Sequence, residues 1–89
     1  MDENSPSFIE KMIQDLTRQR DELKLSLHLG TQEAKEQWDK LEEKLYQLKQ
    51  RMEPAKEAAE ESAGNVWEAI RLLAGEVKEG FDRVRKSIN

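Results

Sequence analysis

The sequence predicts an all-α protein: a long antiparallel helical hairpin with coiled-coil-like packing, copies of which associate into a four-helix or larger bundle. Three observations lead there. Apolar residues recur in steps of three and four along most of the 89 residues. Charged residues make up 38% against 36% hydrophobic and 6% aromatic, so the apolar groups form a seam rather than a deep interior. Finally, the one stretch with strand-like alternation, Leu23 to Leu29, has no second alternating run to pair with.

A polar, acidic stretch over 1–5 reads as a flexible N-terminus, followed by one helical domain over 6–89. Pro6 suits a first helical position, and Ser7 with Glu10 has the spacing of a capping box, so a helix opens here. Its seam runs Ile9, Met12/Ile13, Leu16, Leu23, Leu27, Ala34, Trp38, Leu41, Leu45, Leu48 and Met52, with Arg20 as a polar member between Leu16 and Leu23. Leu25 and Leu29 fall roughly opposite Leu23 and Leu27, which calls for cover on two sides. Read as one helix over 6–52, this segment would be about 70 Å long.

Pro54 lacks an amide donor and its ring crowds the preceding turn, so the chain is expected to reverse near 53–54, with a second helix over 55–88. The alternative is a compact three-helix bundle broken at Gly30 and at Ser62–Asn65, with Pro54 as a kink. Gly30 is a poor helix former, with Thr31 as the next cap, and Asn65 with Glu68 repeats the capping-box spacing. Over 66–88 the apolar residues recur every eleven places: Val66, Val77 and Ile88, Ile70 and Phe81, Leu73 and Val84. Such a period gives one broad face on a nearly straight helix. Arg71, Lys78 and Arg85 form a basic stripe beside that face, while Leu72 and Trp67 lie outside it or at its edge.

The same composition bears on chemistry. With no Cys, one His and four Gly, the chain lacks the material for thiolate catalysis, zinc sites or phosphate-cradling loops. The positions within helical reach of His28 are Lys24, Leu25, Thr31 and Gln32, none of them a carboxylate, so no metal site is expected. Carboxylates such as Glu79 and Asp82 have basic partners four residues on, which reads as a solvated, ion-paired surface rather than general acid and base machinery. Trp38, Trp67, Phe81 and Phe8 read as packing anchors, and Tyr46, off the seam, as a contact with solvent or a partner. A net charge of −4 opposes nucleic-acid binding. The N-terminal residues lack the basic and then apolar pattern of a secretory signal, so a cytoplasmic protein is expected. Neither catalytic residues nor a cofactor are expected.

Glu60-Glu61-Ser62, then Val66-Trp67-Glu68, then Gly75 through Phe81, together with the heptad-like run from Glu33 to Leu48, resemble the small bacterial all-helical, coiled-coil stress-response proteins. The resemblance implies a non-enzymatic, cytoplasmic, stress-associated role and supplies no catalytic residues.

The functional expectation is therefore a structural module that binds copies of itself, or a partner helix, through its seam. The residues expected at that interface are Leu23, Leu25, Leu27 and Leu29, then Trp38, Leu41, Leu45 and Leu48, and in the last segment Trp67, Ile70, Leu72, Leu73, Val77, Phe81 and Val84. A hairpin alone would leave Leu25, Leu29 and Leu72 exposed, which is the argument for self-association. The alternative function is peripheral binding to an anionic lipid surface through the amphipathic helix 66–88, with Arg71, Lys78 and Arg85 at the headgroups.

Overall fold

A computed structural model describes residues 6–57 and 60–88, with residues 6 and 60–64 given by backbone alone. The N-terminal stretch 1–5, Ala58, Ala59 and Asn89 lie outside the described residues. Among those described there are three α-helices and no strand: α1 (Pro6–Ser26), α2 (Gln32–Glu57) and α3 (Glu60–Ile88), with a 3₁₀ turn over Leu27–Leu29 between the first two.

All three helices pack on one another, and α2 with α3 shares the most extensive contact. Ion pairs and close approaches give the directions. Lys56 Nζ lies 3.3 Å from Glu10 Oε1, so α2 runs back along α1. Lys44 Nζ lies 3.7 Å from Glu76 Oε2, and Trp38 meets Phe81, so α3 runs back along α2. The molecule measures 45 × 23 × 16 Å with a radius of gyration of 14.1 Å. A globular chain of this length would have about 12 Å. The excess is the length of α3, whose 29 residues span about 44 Å.

The chain therefore does not form the single helix expected over 6–52. It bends at 27–31, where a low-propensity glycine precedes a capping threonine. Gly30 is extended at φ −85° and ψ 171°, its N–H donating to the Leu27 carbonyl at 2.9 Å. Thr31 Oγ1 accepts from the Ala34 N–H at 3.1 Å and so caps α2. Pro54 is not the reversal either, for it sits within α2. It falls in the final turn, which the buried Ala55 holds against the core. Nor does the chain break at Ser62–Asn65, which α3 traverses. Pro6, by contrast, opens α1 as expected, with Ser7 inside its first turn rather than capping it.

One core runs the length of the molecule. Ile9, Ile13, Leu16 and Leu23 come from α1, Trp38, Leu41, Leu45 and Leu48 from α2, and Trp67, Ile70, Ala74, Val77, Phe81 and Val84 from α3, all buried. The Trp38 and Phe81 rings lie 5.6 Å apart at 37°, a tilted pair worth about 0.5–1.5 kcal/mol beyond the area it buries. No polar or charged described residue is buried with them.

Candidate association surface

The residues expected to bind another copy divide sharply. Leu23, Trp38, Leu41, Leu45, Leu48, Trp67, Ile70, Val77, Phe81 and Val84 are buried within the single chain, and Leu27 and Leu73 pack against that core half-buried. A third helix supplies the cover that a second copy was expected to give. Left outward are Leu25 at 79%, Leu29 at 65% and Leu72 at 55% exposure, the three side chains whose phase had set them apart from the seam. Phe8, expected as an anchor, is 40% exposed. Tyr46 faces outward, its hydroxyl accepting a hydrogen bond from Gln50 Nε2 at 2.9 Å.

These outward apolar residues do not share one setting. Leu72 stands on the outer face of α3 with Glu68 and Glu76, its neighbours four residues away, both exposed. Leu25 and Leu29 lie in the last residues of α1 and the 3₁₀ turn, with exposed His28 between them. They are the larger apolar feature, and they sit where the chain changes direction.

Two shallow grooves follow the helix seams. The first, about 420 Å³, is bounded by Gln37, Lys40 and Lys44 of α2 and by Glu76, Glu79 and Arg83 of α3, with Leu41 and Gly80 at its floor. It owes its form to Gly80: a Cβ there would run into the Cδ methyls of Leu41. Its charges are matched across and along the helices, Lys44 with Glu76 at 3.7 Å and Arg83 with Glu79 at 3.8 Å. A second groove lies between α1 and α2, lined by Ile13, Gln14, Thr17, Lys49, Met52 and Glu53. Sequence reasoning placed Gly80 on the apolar face but missed the close approach, which depends on which residue the neighbouring helix presents.

The basic stripe of α3 flanks the core. Arg71 and Arg85 are half-buried and Lys78 is exposed. Arg85 Nη1 bonds Asp82 Oδ1 at 3.2 Å, so Asp82 takes this partner three residues on. The apolar face that would enter a lipid surface, from Trp67 to Val84, is turned into the bundle. No helix among the described residues is long and apolar enough to cross a membrane, and none of their His, Asp and Glu groups is arranged in a set of three that could hold a metal ion. Comparison with protein-family models, with curated proteins and with solved structures found no match.

Proposed function

We propose that this chain is a non-enzymatic, structural protein-interaction module that associates with copies of itself, and that its face for doing so is the end of α1 around Leu25 and Leu29. The observation that carries the proposal is the exposure of these two leucines, four residues apart, on a chain that otherwise buries most of its large aliphatic side chains. A stress-associated role, implied by the likeness of the Trp67-Glu68 tail, is part of the same proposal.

Magnitudes bound what this face can do. Full burial of four leucines, two from each copy, is worth at most about 6–12 kcal/mol. Association costs about 4–15 kcal/mol in lost freedom. A contact made by this patch alone is therefore weak.

Light scattering over a concentration series tests the proposal. The wild type should exceed the 10.4 kDa of one chain as concentration rises. A Leu25→Asp/Leu29→Asp variant should keep its helical circular dichroism and remain a monomer at concentrations where the wild type does not. A wild-type mass that stays at one chain throughout overturns the proposal.

A further inference from the structure

The turn between α1 and α2 is short and close to helical. Leu27–Leu29 already form a 3₁₀ turn, leaving Gly30 and Thr31 as the residues that separate it from α2. No described residue, glycine included, has a positive φ, so the bend uses no conformation that only glycine can hold.

The apolar seam also stays in phase across the bend. At 100° per residue, Ile9, Ile13, Leu16, Leu23 and Leu27 before it and Ala34, Trp38, Leu41 and Leu45 after it fall within an arc of about 80° on one continuous helix. A bend between two independently phased helices would have no reason to preserve this.

We propose that the chain exchanges α1 with a second copy: residues 27–31 straighten into helix, α1 and α2 become one, and α1 of each copy fills the place of α1 on its partner. This rests on the self-association proposed above and adds to it an interface made by α1 itself. Every contact of α1 with α2 and α3 is kept, now between chains, so the exchange turns on the hinge and on concentration. In the straightened helix Leu25 and Leu29 both point away from the seam and stay on its outer face.

Two substitutions push the hinge in opposite directions. Gly30→Ala removes a helix penalty at both hinges of the dimer, about fivefold each, and should raise the dimer constant about thirtyfold. In the bent chain its Cβ would lie 3.3 Å from the Leu27 carbonyl oxygen and 3.4 Å from Ile88 Cγ1, which adds crowding on the monomer side. Gln32→Pro suits the first position of α2 and favours the extended conformation of a cap at Thr31, yet it breaks a helix running through the hinge. It should cut the dimer constant more than a hundredfold. Gly75→Ala, the same chemical change in open space on α3, should leave the constant unchanged.

The chain contains no cysteine, so a Glu10→Cys/Lys56→Cys pair introduces its only thiols, at two positions whose native side chains touch. The pair is bridged with a short bis-maleimide in the Gly30→Ala and Gln32→Pro backgrounds, both checked for helicity. Exchange predicts covalent dimers on a denaturing gel for Gly30→Ala and bridges within one chain for Gln32→Pro. If Gly30→Ala is dimeric by mass but bridged within single chains, the exchange is wrong and surface association stands. If wild type and Gly30→Ala remain monomers at every concentration, both proposals fall.

Discussion

The seam between α2 and α3 and the hinge end of α1 are built from the same kinds of residue and end in opposite states. Along the seam, Leu41 sits so close to α3 that position 80 has no room for a side chain, and Trp38 packs against Phe81. At the hinge end, Leu25 and Leu29 stand in solvent at 79% and 65% exposure. Hydrophobicity does not separate the two regions, since leucine occupies both. What separates them is phase and supply. Leu41 and Phe81 lie on faces that another helix of the same chain reaches, whereas the outer face of α1 lies half a turn from its seam, where none arrives. A buried face thus reports on fold, and a mis-phased apolar pair on what the fold leaves for other molecules.

The largest expected effect tests this contrast directly. Phe81→Ala should cost about 3–5 kcal/mol, because the ring is fully buried and its removal leaves a cavity beside Trp38. In dilute sample, Leu25→Ser should stay within about 0.5 kcal/mol of the wild type. Urea unfolding of both variants at one low concentration measures the difference. Similar losses for the two would mean that Leu25 is not a surface residue of the single chain.

Next in size is a comparison between two glycines of α3. Ala at position 80 must push Leu41 aside, an overpacking cost of about 1–3 kcal/mol partly offset by a gain of about 1 kcal/mol in helix propensity. At position 75 nothing lies within 4 Å of a new Cβ, so the gain of up to about 1 kcal/mol stands alone. Gly80→Ala should therefore lower the urea midpoint or leave it nearly unmoved, and Gly75→Ala should raise it. Equal increases would show that α2 and α3 are not in close approach at Gly80.

Much of this was legible from residue order, and the failures have physical causes. The seam residues and the isolation of Leu25, Leu29 and Leu72 follow from spacing alone, because a helix converts sequence distance into angle. The bend at Gly30, capped by Thr31, stood only as the alternative to a reversal at Pro54, for two local rules competed and the stronger-looking one lost. The helix runs on through Pro54 into a last turn held by the buried Ala55, while a glycine followed by a capping threonine gives the next helix a start. Most of the residues expected at an interface between chains meet helices of the same chain, because the bend lets a third helix reach them. Gly80 was unreadable for the same reason, since its role is defined by Leu41, 39 positions earlier.

Thr31 offers a smaller test of the hinge end. Its hydroxyl accepts the Ala34 N–H at 3.1 Å, and Thr31→Ala should cost the bent chain about 1 kcal/mol. The cap has no function in a helix that runs through residue 31, so the same variant should raise the dimer fraction while lowering the monomer's urea midpoint. A drop in midpoint with an unchanged dimer fraction would separate the cap from the exchange.

The smallest expected effect belongs to the ion pair across the α2–α3 groove. Lys44 and Glu76 are 3.7 Å apart with side chains 45% and 63% exposed, so water and salt screen them and two long side chains must be held in place. A double-mutant cycle with Lys44→Gln and Glu76→Gln should give a coupling of about 0.2–1 kcal/mol. At 1 M salt, where charges are screened within about 3 Å, that coupling should all but vanish. Against the several kcal/mol expected from Phe81 on the same seam, this ranks charge as a guide to register and packing as the source of cohesion. A salt-resistant coupling above 1 kcal/mol would reverse the ranking, and would mean the groove is closed to solvent more tightly than the exposure of its two charged walls allows.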